Sequence, residues 1–88
     1  VQVVVHGRVQ GVGFRYSALR QAAGLGLTGW VRNLADGSVE CWLEGPEPDI
    51  AAMLEWLGIG PAYARVRGVA VQQRKPAGFT HFDVVTDA

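Results

Sequence analysis

The stretch "GRVQGVGFR", Gly7 to Arg15, gathers residue types that can hold an anion without a metal. It follows "VQVVVH", an alternating apolar stretch, and runs into "RYSALRQAAGLG", a helical pattern. A loop between a strand and a helix start lies where unpaired N–H groups and about half a positive charge are exposed. Gly11 and Gly13 permit backbone angles that turn further N–H groups inward and let a ligand come close. Arg15 adds a permanent charge and a fork of donors matched to phosphate or carboxylate oxygens. The plainer alternative is a tight turn followed by a solvated arginine. Two nucleotide motifs do not fit. Phe14-Arg15 stands where a Walker A loop needs Lys and Ser or Thr, and Tyr16 stands where a dinucleotide fingerprint needs its third glycine. The loop suits a small, isolated anion.

Asn33 is the second polar residue at a telling place, at a strand end just before a turn. Taken alone it reads as a residue whose side chain caps local backbone, as asparagine often does near turns. His6 and His81 are far apart in sequence and form no clustered ligand set of the zinc type, so both read as surface strand residues. Cys41 lies mid-strand and reads as packing rather than as a nucleophile. Asp36 is explained by the turn. Glu40 falls opposite Asn33 if the hairpin turn has two residues, but a longer turn shifts the register, so Glu40 is given no catalytic part. Trp30, Trp42 and Trp56 raise the alternative of a stacking platform for RNA. Zero net charge and the lack of a basic-aromatic run favour tryptophans that fill the core or line the sheet.

These residues must be positioned by a small scaffold. The 88 residues suffice for one domain, 1–88, with a single core. The hydrophobic fraction of 49% and charged fraction of 18% are globular, and eight Lys+Arg balance eight Asp+Glu. That balance argues against non-specific nucleic-acid binding. No apolar run approaches the roughly 18 residues a membrane span needs, and no secretory leader pattern is present. Cys41 is the only cysteine, so no internal disulfide is expected and a cytoplasmic location is.

Val1, Val3, Val5 and Val9 alternate with polar residues, which predicts a half-buried first strand. A helix is expected from Arg15 to Leu25, ended by Gly26 as its C′ residue. "TGWVRNLADGSVECWLEG" reads as two strands joined at Asp36-Gly37. "GPEPDIAAMLEWLG" is the clearest helix, with Ile50, Met53, Leu54 and Leu57 at i, i+3, i+4 and i+7. Ala64, Val66, Val69 and Val71 mark a strand whose parity slips near Gly68, suggesting a bulge. "KPAG" turns the chain and "FTHFDVV" closes it. The order predicts an α+β, ferredoxin-like α/β sandwich: βαββαβ plus a short final strand, with two helices on one face of an antiparallel sheet.

Val9, Gln10, Gly11, Val12, Phe14 and Arg15, followed by the pattern from Leu25 to Glu40, closely resemble the two signatures of the acylphosphatase family. "EGP", "WL" and "GPAYARV" are similar to further segments of that family, so the resemblance covers nearly the whole chain. It implies a hydrolase that cleaves the carboxyl–phosphate bond of acyl phosphates to give carboxylate and inorganic phosphate, the latter also an inhibitor. It implies that Gln10, Gly11, Val12, Gly13 and Phe14 cradle phosphate through backbone N–H groups and that Arg15 clamps it. It implies that Asn33 positions the attacking water and that the proton passes to the substrate phosphate. Gly13 occupies a position that varies in the family. No metal or other cofactor, nucleic-acid partner or membrane is implied, and a monomer is expected. Two alternatives stand beside this reading: an acylphosphatase-like module of a hydrogenase-maturation carbamoyltransferase, and a non-catalytic small-anion or RNA binder.

Overall fold

A computed structural model describes every residue from Val1 to Ala88. The elements run β1 (Gln2–Arg8), α1 (Phe14–Gly24), β2 (Thr28–Asn33), β3 (Val39–Glu44), α2 (Glu47–Leu57), β4 (Arg65–Gln72) and β5 (Phe82–Val84). The strands form one sheet in the order β4-β1-β3-β2-β5. Its first four strands are antiparallel to their neighbours, as the sequence predicts, while β5 adds to β2 in parallel and makes the sheet mixed. Because β1 and β2 both run opposite to β3, they finish at the same end of the sheet.

Alternation decides what each face carries. Val3, Cys41 and Val31 are paired across β1, β3 and β2, share one face and are fully buried. Helices α1 and α2 cover that face, contributing Phe14, Ala18, Ala22, Met53 and Leu57 to the core. Each large aliphatic or aromatic side chain so buried stabilises the fold by about 1.5–3 kcal/mol. Gln2, Trp42 and Trp30 are paired on the opposite face.

Helix α1 ends as expected, in a Schellman pair: Leu27 N–H bonds Ala22 O at 3.0 Å and Gly26 N–H bonds Ala23 O at 3.0 Å. Helix α2 starts after Pro46 with Glu47 and Asp49 in its first turn, where the helix dipole favours them. The bulge lies where the parity slips. Gly68 pairs with His6 and Val66 with Gly7, so Arg67 is the extra residue. One register left open by the sequence is fixed, and one expectation changes. The β2–β3 turn is longer than two residues: Asn33 pairs with Val39, so Glu40 faces Arg32 and not Asn33. The last strand is also shorter than "FTHFDVV". The backbone N–H groups of Ala77 and Gly78 donate to the Glu44 carboxylate at 2.7 and 3.1 Å, and Phe79 packs edge-on against Trp42, which draws this segment out of the ladder.

Candidate active site

The loop between β1 and α1 is fixed at both sides by buried residues. Val9 and Phe14 are in the core, and the Phe14 ring meets Trp56 at 5.6 Å. Between them Gly11 and Gly13 have φ of 74° and 76°. A Cβ at either would meet nothing within 4 Å, so glycine serves the backbone angle rather than the space. Gly13 is also the N-cap of α1, in the left-handed conformation and without a side-chain cap.

The consequence is a run of free donors. From Gln10 through Tyr16 no backbone N–H has an acceptor within the protein, and the helix ladder opens with Ser17 N–H on Gly13 O at 3.1 Å. No acidic residue sits in the first turn of α1 to take up these donors or its positive end. Backbone groups in folded proteins are overwhelmingly paired. A consecutive unpaired run at a helix N-terminus is an arrangement that can receive an anion.

Arg15 and Asn33 come together beside this loop. One carboxylate oxygen, Asp87 Oδ1, lies 3.1 Å from Arg15 Nη1 and accepts the Asn33 backbone N–H at 3.3 Å. A single anionic oxygen can thus be shared by the arginine on α1 and the backbone at the end of β2. The tail carrying Asp87 follows β2 beyond β5: Val85 N–H bonds Val31 O and Ala88 N–H bonds Asn33 O, each at 3.0 Å. The Asn33 side-chain Oδ1 is the one buried side-chain polar atom in the protein with no hydrogen-bond partner. Leaving such an acceptor unsatisfied costs about 1–3 kcal/mol, which a capping role alone does not explain.

Gln10 has two separable parts. Its backbone N–H is free, whereas its side-chain Nε2 donates to Leu34 O at 2.8 Å and Ser38 O at 2.9 Å. Val12 packs against the edge of the core and Phe14 within it, so the loop offers their backbone and not their side chains.

The remaining candidates lie elsewhere. His6 and His81 are exposed, on β1 and just before β5. No group of three or more His, Cys, Asp or Glu is placed to hold a metal ion. Cys41 is fully buried, and burial, with the neighbouring Glu40 charge, pushes its thiol up to about 12. It has no thiolate for nucleophilic work near neutral pH. Trp30 and Trp42 line the outer sheet face, stacked at 6.2 Å, with Arg32 over Trp30 at 4.9 Å. Glu40 is held there by Arg32 Nε at 2.7 Å and by Gln2 Nε2. Asp87 gave no signal in the sequence. An acidic residue near a chain end reads as solvated, and only the parallel docking of β5 and the tail on β2 brings it to Arg15.

No helix is long and apolar enough to cross a membrane. The family model for acylphosphatase matches residues 1–84. The acylphosphatase of Methylococcus capsulatus is 52% identical over 88 residues, 99% of this chain and 96% of that protein. The crystal structure of acylphosphatase from Bacillus subtilis superposes with a TM-score of 0.92 at 39% identity, covering 96% of this chain and 94% of that one. Full-length HypF, in its phosphate- and nucleotide-bound form, matches with a TM-score of 0.87 at 29% identity over 98% of this chain but only 12% of its own. Family model, sequence identity and fold agree along almost the whole chain, which belongs to the acylphosphatase family of acyl phosphate hydrolases.

Proposed function

We propose that the loop from Gln10 to Phe14 and Arg15 bind the phosphoryl group of an acyl phosphate, and that Asn33 orients the water that attacks it. The observation that carries this reading is the unpaired N–H run from Gln10 to Tyr16, set beside an Asn33 Oδ1 that lacks a partner. Phosphoryl oxygens take the loop donors and the arginine fork, an arrangement that stabilises developing charge without reorganisation. Asp87 Oδ1 marks where one such oxygen can meet both Arg15 and the Asn33 backbone.

A water held by Asn33 Oδ1 attacks phosphorus. The new P–O bond forms as the bond to the acyl oxygen breaks, the carboxylate leaves with the bonding pair, and the proton goes to a phosphate oxygen. A carboxylate leaves readily, so no general acid is required. Asn33 carries no titratable group and acts by geometry. Arg15 supplies a planar fork of N–H donors to the phosphoryl oxygens. The reading needs no metal and extends to inorganic phosphate as product and inhibitor. It also takes residues 1–88 as one domain acting as a monomer in the cytoplasm, where the single thiol suits a reducing compartment.

Asn33→Ala tests it. Turnover of a simple acyl phosphate should fall about a hundredfold, the scale of a misplaced reacting group. Competitive inhibition by inorganic phosphate should stay within a few-fold, because the loop and Arg15 remain. A variant that melts earlier but turns over at the wild-type rate removes Asn33 from the site and returns it to turn capping.

A further inference from the structure

We infer that Gln10 is a positioning residue: its side chain is the strut that sets the distance between the phosphate loop and Asn33. This rests on the roles proposed above for the loop and for Asn33. The need for a strut follows from the sheet order. β1, which leads into the loop, and β2, which ends at Asn33, are not neighbours, because β3 lies between them. No β1–β2 ladder can therefore hold the two functional ends in register. The β1–β3 pairing also stops at Val5–Val39, before β1 reaches the loop.

Gln10 bridges that gap with two bonds from one amide nitrogen, at 2.8 Å to Leu34 O and 2.9 Å to Ser38 O. Both acceptors flank the Asn33–Val39 pair. Leu34 follows Asn33 in the chain, and Ser38 precedes Val39. The acceptors are themselves rigid. Ser38 O also receives Leu34 N–H at 2.9 Å, Leu34 O receives Gly37 N–H at 3.2 Å, and Asp36 Oδ1 receives Ser38 N–H at 2.9 Å along with the Ser38 hydroxyl. Ser38 is almost fully buried. The strut thus ends on a locked turn. Its other end is equally fixed, because the neighbouring Val9 is buried in the core. An amide is well suited to this place, since two carbonyls need two N–H donors and one Nε2 supplies both. The family signature marks Gln10 as part of the phosphate loop, but its side chain points away from any anion task and toward the water-holding hairpin.

The consequence is a division of labour within one residue. The Gln10 N–H belongs to phosphate binding, whereas its side chain governs where the water sits relative to phosphorus. Gln10→Met keeps length and volume and deletes both bonds. Turnover should fall about tenfold or more while inhibition by inorganic phosphate stays within about threefold, since small displacements weigh on the chemical step. In an Asn33→Ala background the same change should cost less than twofold in turnover, because a strut has nothing left to place. Gln10→Asn, which keeps the amide but shortens its reach, should lie between wild type and Gln10→Met. It also serves as the test if Gln10→Met does not fold. Full turnover at a lowered melting temperature, or an equal penalty in both backgrounds, overturns the strut while leaving the Asn33 reading intact. Wild-type turnover in Asn33→Ala alone overturns that reading, and the strut with it.

Discussion

The two ends of the sheet handle backbone donors in opposite ways. Where β1 and β2 finish, the N–H groups from Gln10 to Tyr16 have no partner within the protein. At the other end, where β3 finishes, a carboxylate takes up loose donors. Glu44 accepts the Trp42 indole N–H at 2.7 Å and the backbone N–H groups of Ala77 and Gly78, tying the loop after β4 to the sheet. The same physical task, satisfying a bend in the chain, is completed internally at one end and left open at the other. On the function proposed above, the difference separates a structural end from a working one. An acidic side chain placed among the loop donors of the first end would close it.

Arg15→Gln breaks the comparison most severely. Removing one preorganised donor to developing charge costs about 10²–10³ in rate, and here the donor is also a full charge. Turnover should drop by at least that much and inhibition by inorganic phosphate should be lost, while the melting temperature barely moves. The bridge to Asp87 that is lost is exposed and worth little. An Arg15→Gln protein with near wild-type turnover would remove Arg15 from the site.

Glu44→Gln attacks the other end, with the reverse outcome expected. Allowing for its position near the surface, loss of the charged acceptor should lower stability by about 1 kcal/mol, which in a domain of this size is about 4–8 °C in Tm. Turnover at 25 °C should not change. A loss of turnover comparable to that of Arg15→Gln would show that the two ends are coupled and spoil the contrast.

A milder probe of the same end is pH. Burial opposes the charge on Glu44, but the N–H groups of Ala77 and Gly78 and the Trp42 indole outweigh it and hold its carboxyl below the usual 4.5. Asp36 is likewise lowered, first by the Ser38 hydroxyl and then by the Ser38 N–H. Groups depressed in the folded state contribute stability that is complete above their unfolded values and is lost as pH falls through the folded ones. Tm should therefore be flat through neutrality and begin to fall only below about pH 4.5. In Glu44→Gln that fall should be shallower. A Tm that declines already between pH 7 and 5 would point to a histidine instead.

How much of this could be read from the sequence varied with range. The strand alternation of Val3 and Val5, the heptad-like run from Ile50 to Leu57 and the Gly26 stop are local signals, and each element formed where its own residues dictate. The geometry of the loop from Gln10 to Arg15, with left-handed Gly11 and Gly13 ahead of an uncapped helix start, was legible for the same reason, because it is set by a few consecutive residues. Three features were not. Glu40 faces Arg32 because the turn has more residues than the Asp36-Gly37 pair suggests, and a change in turn length rewrites every pairing downstream. Gln10 reaches Leu34 and Ser38 across a strand that sequence spacing does not reveal. Asp87 meets Arg15 only because β5 docks in parallel, a contact between residues 72 positions apart.

The sheet order has a kinetic consequence as well. β1 is a central strand, yet its neighbours come from later in the chain: Val5 pairs with Val39, and Gln2 pairs with Gln72. During synthesis β1 emerges before both of its partners and must wait for β4 before its second ladder can close. Closing such distant loops costs entropy before any contact repays it, so folding should be slower than in helical bundles built from local contacts. A nascent β1, apolar on one side and unpaired along both edges, is the segment most exposed to pairing with a neighbouring chain in that interval.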